Sequence, residues 1–241
     1  MYSEELGKIC SEHKWSYLHT KENNLSLVQN IAINLRSRAK YIFKIDEDII
    51  ITENYFDNMI RAYHHAEKSK YIPGVLAPLI PINGYGHVRI LEKLQIVDKY
   101  ENKFGKIKVA TGFERPIENN ADVAKFFWGS DGNVPFVDEL NSMFANKPLD
   151  ERPCPIRFSI GAILFERKLW ENMRYFKVKR NMMHMVRDEH DLYTFCTNSS
   201  KPIMVNENVD VGHLSFNLLN EAMKQFYNDY QSIFKGASLC R

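Results

Sequence analysis

The run Tyr41-Ile-Phe-Lys-Ile45 passes directly into Asp46-Glu47-Asp48, and a helical pattern stands on either side of it. Five residues, four of them apolar and β-prone, are too few for a helix and fit a buried strand. Upstream, Leu27, Val28, Ile31, Ala32 and Leu35 recur at helical spacing between Leu25 and Leu35. Downstream, Thr52 can cap a helix over about 53–68, with Tyr55, Phe56, Met59, Ile60 and Tyr63 on one face. Helix, strand, helix is the rhythm of a parallel sheet covered on both faces, so the expected class is α/β.

The remaining pattern extends that reading. Residues 3–14 predict a short helix, Trp15–His19 a strand, and Asn23-Asn24 a polar turn. Val75–Ile82 reads as a strand ended by an Asn83-Gly84 turn. Residues 83–155 carry scattered glycines and prolines and predict short strands and loops. Ile156–Phe165 predicts a strand leading into a short helix over 167–173, and 188–196 a further helix. Two short strands follow, Pro202–Val205 and Val209–His213, then an amphipathic helix over 217–234. No repeat and no Gly/Ser linker divides the chain, so residues 1–241 are expected to form a single domain.

Composition excludes several classes of function. With 44% hydrophobic and 26% charged residues the chain is ordinary globular protein. Thirty-two basic against thirty acidic residues leave a formal charge of +2, too weak a field for a dedicated nucleic-acid binder. The four cysteines, Cys10, Cys154, Cys196 and Cys240, are far apart, which disfavours a zinc knuckle or a disulfide framework and fits a reducing compartment. No apolar stretch approaches the ~18 residues of a membrane span, and the polar start has no signal-peptide core, so the expectation is a cytoplasmic protein.

Four features could carry chemistry. Asp46 and Asp48, at the carboxyl end of a strand, can jointly hold magnesium or manganese bridged to phosphate; the same acids also suit a turn entering a helix. In Asp188-Glu189-His190-Asp191-Leu192 an acid can act as general base, or simply cap a helix. His213, closing Val209-Asp-Val-Gly-His213, can complete a metal site or be a satisfied buried side chain. The basic, Met-rich run Phe176–Arg187 can be a lid whose Lys177, Lys179, Arg180 or Arg187 meets phosphate, or a solvated loop. His64-His65 reads as a solvated pair.

The order of these motifs resembles the nucleotide-sugar glycosyltransferases of the GT-A fold, most of all the family 2 type. The likeness covers about residues 15–56 and 156–216. It implies a Rossmann-like three-layer sandwich with a mostly parallel central sheet. Residues 1–82 would be part of the donor and metal half, 83–155 a loop-rich insertion, and 156–241 the acceptor and catalytic half. The family's opening strand-helix-strand, which grips the nucleotide base, has no counterpart before Asn23, so an N-terminally truncated version is expected.

By that resemblance Asp46, Asp48 and His213 bind manganese or magnesium. The base is Glu189, with Asp188 as the other candidate, because the family's acidic pair stands here in reversed order. Gly161 and Ala162 would line the floor between donor and acceptor, and Asp191 would contact substrate. Trp128, like Phe127 and Tyr85, can stack on a sugar face or serve as packing. The implied partners are a nucleotide-sugar donor and a glycan or other hydroxyl acceptor, with self-association left open. Two rivals stand beside this reading: a glycosyltransferase-like sugar-binding or scaffolding protein without turnover, and a phosphatase of the haloacid-dehalogenase type with Asp46 as nucleophile.

Overall fold

A computed structural model of the chain describes residues 2–22, 24–110, 116–178, 187–214 and 219–231. Asn23 of the expected turn, residues 179–186 of the basic run, and 217–218 and 232–234 of the last expected helix lie outside the described residues.

The first half contains α1 (Glu4–Glu12), α2 (Leu25–Leu35), β1 (Tyr41–Ile45), β2 (Ile49–Ile50), α3 (Tyr55–Ala66), β3 (Val75–Leu79), α4 (Gly84–Lys93) and α5 (Val97–Phe104). Then come α6 (Pro116–Asn119), α7 (Ala121–Phe127), α8 (Val137–Ala145), β4 (Glu151–Pro153), β5 (Ala162–Glu166) and α9 (Arg167–Asn172). The chain closes with α10 (Arg187–Asn198), β6 (Ile203–Asp210), β7 (Gly212–His213) and α11 (Asn220–Asp229). Residues 1–42 and 165–199 make one compact unit, and 43–164 with 200–241 a second.

In the first unit α2 begins where the Asn24 side chain accepts from the Leu27 amide at 3.0 Å, satisfying one of the helix's orphan donors. Its other end is closed by Arg167, whose guanidinium donates to the carbonyls of Ile33, Arg36 and Ala39 at 2.5, 2.6 and 3.0 Å. Ile33 lies in the last turn of the helix, and Arg36 and Ala39 in the turn that follows it. Helix α10 packs on α2. Trp15–His19, expected as a strand, is irregular: Trp15 is 63% exposed and no strand pairs with the segment.

The second unit is built on a five-stranded sheet of order β1-β5-β3-β6-β4. Strands β3 and β6 run parallel, β4 runs antiparallel to β6, and β2 with β7 forms a separate antiparallel pair. The class is α/β as expected, but the sheet is mixed. β1 takes the expected bounds yet is only half-buried, because it lies at the edge of the sheet. The two expected strands at 202–213 differ more: β6 runs unbroken through the polar residues Asn206, Glu207 and Asn208, and all eight of its residues are buried.

That burial is tolerated because the side chains of Asn206, Glu207 and Asn208 are each answered. Glu207 accepts from both Arg89 Nε and Nη2 and from Tyr85 Oη, each at 2.7 Å. Asn208 Nδ2 donates to the carbonyls of Phe144, Lys147 and Pro148 at 3.0–3.2 Å. The ladder with β3 absorbs the change by a bulge, pairing Pro78 with Asn206 and Leu79 with Asp210.

Residues 83–155 depart furthest from expectation, since helices α4 to α8 replace the predicted loops. Asn83 opens no hairpin; it precedes α4, and its side chain accepts from the Ser159 amide at 2.5 Å. Gly86 marks a close approach: a Cβ there would come within 2.2 Å of the Ile80 carbonyl oxygen. Rings of His87, Tyr100, Phe104, Phe126 and Phe127 interlock at centroid spacings of 4.6–6.3 Å and give these helices an aromatic core. Helix α3 starts later than expected, after Asn54 in the left-handed region (φ 56°), while Thr52 is buried and donates to the Asp210 carbonyl at 2.9 Å. Its buried face is Tyr55, Met59, Ala62, Tyr63 and Ala66; Phe56 is 47% exposed. Among the described residues no helix is long and apolar enough to cross a membrane.

His87 gives this core a pH signature. Burial pushes its imidazole down to about 4, so the native state resists a proton that the unfolded chain accepts near 6.5. Stability therefore falls as pH drops from about 6.5 to about 4, by up to ~3 kcal/mol from this group. Melting curves across that interval will show a shallower decline for His87→Phe than for the native chain.

Candidate functional site

Around Asp46 the second unit gathers most of the residues singled out by sequence. The Asp46 amide donates to the Gly161 carbonyl at 2.7 Å, and the Ile49 amide to the Asp46 carbonyl at 3.2 Å, so the acids sit on a tight turn off β1. Beyond the turn, β2 pairs with β7 in the register Ile49 to His213 and Ile50 to Gly212, and the Leu214 amide donates to the Asp48 carbonyl at 3.0 Å. This ladder brings His213 Nε2 to 3.6 Å from Asp48 Oδ2.

Neighbouring side chains fix the ladder from behind. A Cβ on Gly161 would touch Ile49 and the His213 ring at 3.2 and 3.5 Å. On Gly212 it would strike the Trp128 ring at 2.2 Å, and the Trp128 indole N–H donates to the His213 carbonyl at 3.1 Å. Trp128 is therefore a buried wall of the site, 4% exposed, and no open platform for stacking. Phe127 and Tyr85 are buried as well, and so is Ala162.

Burial sets the protonation preferences. The carboxyls of Asp46 and Asp48 are raised above their ordinary value chiefly by desolvation, with Glu47 raising Asp48 further. Desolvation also pushes His213 down to about 4, which keeps its imidazole neutral near pH 7. Opposing the rise at Asp46 is a residue the sequence reading missed. Lys44 Nζ donates to Asp46 Oδ1 at 2.5 Å and to the Ile160 carbonyl at 2.9 Å. The signal was present, since residues two apart on a strand share a face.

Among the described residues no three His, Cys, Asp or Glu side chains converge as a metal cluster. A carboxylate oxygen beside a neutral imidazole is nevertheless a donor pair that manganese, a first-row transition metal, accepts more readily than magnesium, which takes oxygen donors and completes its shell with phosphate and water. Asp48 and His213 thus fit the expected cation, while Lys44 already answers one oxygen of Asp46.

The acidic pair of α10 belongs to the first unit. Asp188, Glu189 and Asp191 are all buried, at 3%, 7% and 7% exposure. Gln29 Nε2 donates to Asp188 Oδ2 at 2.9 Å, and the Lys177 amide to Asp191 Oδ2 at 2.9 Å. Asn30 completes the arrangement, accepting from the Trp170 indole and the Phe176 amide and donating to the Phe176 carbonyl. Asp188 and Asp191 therefore have structural partners that position α10. Of the other sequence candidates, His64 and His65 are partly exposed and pair with Glu67 and Glu151 at 2.9 and 2.6 Å. No known protein family, curated protein or solved structure matches the chain.

Proposed function

We propose that the protein is a glycosyltransferase that moves a sugar from a nucleotide-sugar donor to an acceptor hydroxyl. The observation that carries the proposal is the Asp46–Asp48 turn at the end of β1, with His213 held 3.6 Å from Asp48 by the β2–β7 ladder. Acids at the carboxyl end of a sheet strand lie where open α/β sheets bind their ligands.

Asp48 and His213 would hold the divalent cation, with Asp46 beside them. When bound, such a cation neutralises charge growing on a nucleoside diphosphate leaving group. Lys44 adds a fixed positive charge on the same strand face. In the transfer, the acceptor oxygen bonds to the anomeric carbon, the bond from that carbon to the diphosphate oxygen breaks, and the acceptor proton passes to a carboxylate. The order of the motifs gives that base role to Glu189, with Asp188 as the other candidate.

The test is thermal stabilisation by UDP, GDP, CDP and CMP, with and without manganese. One nucleotide should raise the melting point only when the metal is present, by mass action on the native state. Asp48→Asn should abolish the rise. A flat response from a folded protein overturns the transferase reading. The Lys44–Asp46 pair favours one second reading, sugar binding without turnover, because an ammonium already partly answers the acids. Nucleotide-independent sugar binding together with that flat response would establish it.

A further inference from the structure

Lysine side chains mostly keep their ammonium in water, but that of Lys44 is 11% exposed, against 35% for its neighbour Asp46. Lys44 stands two residues before Asp46, so the alternation of β1 sends both side chains to one face. Its Nζ donates to Asp46 Oδ1 at 2.5 Å and to the Ile160 carbonyl at 2.9 Å. The Asp46 amide donates to the next carbonyl along, that of Gly161, at 2.7 Å. The ammonium is thus tied to the backbone before β5 as well as to the carboxylate, and is not free to swing aside.

These contacts divide the acids of the turn. Asp48 has the His213 imidazole beside it, Glu47 is exposed, and Asp46 has one oxygen held by an ammonium. A divalent cation that took that oxygen would stand against a like charge already bonded to it. Displacing the ammonium instead would strip a largely buried cation of its acceptor, which is costly. The turn therefore offers a metal one carboxylate and one imidazole, too few donors to hold it tightly before phosphate oxygens join the shell.

We propose that Lys44 is the resident cation of the acidic turn: it withholds Asp46 from the metal, so that Asp48 and His213 alone hold manganese, and hold it weakly without phosphate. The inference rests on the reading of this turn as a cation site. A lysine that merely braced the turn would have the opposite effect on removal, a weaker site.

Titration with manganese alone, followed by the electron paramagnetic resonance signal of the free ion, tests the proposal. Lys44→Met should bind manganese tighter than the native chain by about ten-fold or more, because the freed carboxylate joins the shell. Lys44→Met/Asp46→Asn should lose that gain and fall back to about native affinity. Should methionine prevent folding, as melting curves will show, Lys44→Gln carries the same expectations. A smaller gain, or a loss, in the single variant overturns the proposal. So does a double variant as tight as the single one, in which Asp46 was never withheld, or one weaker than the native chain by about ten-fold or more, in which Asp46 was a ligand all along. Because no nucleotide is present, that failure is distinct from failure of the transferase reading, which the nucleotide screen reads separately.

Discussion

Replacing Arg89 by leucine will destabilise the protein by about 3–5 kcal/mol, a loss that lowers the melting point by on the order of 10 °C. Arg89 meets Glu207 through two parallel hydrogen bonds of 2.7 Å, and the Glu207 side chain is fully buried. These bonds and the one from Tyr85 hold the Glu207 carboxyl below its ordinary value against desolvation, which alone would raise it. With that guanidinium gone, a buried carboxylate keeps Tyr85 and the more distant cations of Lys93 and Arg152, at 3.7 and 3.8 Å. Removing one partner of a buried pair costs more than removing both. The double variant Arg89→Leu/Glu207→Leu should therefore recover part of the loss, as urea unfolding of the three proteins will read directly. Equal stability of the single variant and the native chain would show that Tyr85, Lys93 and Arg152 together suffice to carry Glu207.

Glu189→Gln should lower sugar transfer by about 10²–10⁴-fold, the usual contribution of a general base. The substitution keeps the size of a side chain that is 7% exposed while removing its charge and its capacity to take a proton. Stabilisation by the nucleotide that the donor screen selects should be unchanged, since the Asp46–Asp48 turn is untouched. Asp188→Asn should behave differently. It alters a partner of Gln29, so its main effect should be a lower melting point with a smaller change in rate. If the aspartate variant loses the rate and the glutamate variant keeps it, the base is Asp188 and the assignment within the pair reverses.

Legibility of the fold followed the strength of local signals. Helix α2 and strand β1 have the bounds their periodicity predicts, because apolar spacing, an Asn cap and a short β-prone run all agree there. Residues 83–155 were misread because glycine was taken as a turn signal. Gly86 serves instead to let α4 approach the Ile80 backbone, a tertiary demand that no local window reveals. β6 was split at Asn206–Asn208 for a related reason. Their burial depends on Arg89, Tyr85 and the carbonyls of Phe144, Lys147 and Pro148, partners that lie 60–122 positions away.

The candidate site was legible in its acids and its histidine, which form local patterns. Lys44 was readable from its alternation with Asp46 but was overlooked.

The position of β6 also dictates when the site can exist at all. β3 is flanked in the sheet by β5 and β6, and both are synthesised more than 80 residues after it. On a ribosome, therefore, the fully buried Val75–Leu79 segment waits with both ladder edges unpaired until β5 emerges, and with one unpaired until β6 does. His213 arrives with that same stretch, so the closing of the sheet and the completion of the site are one event. A nascent chain halted before β6 should expose an apolar edge of the kind that holdase chaperones bind, and should not recognise ligand.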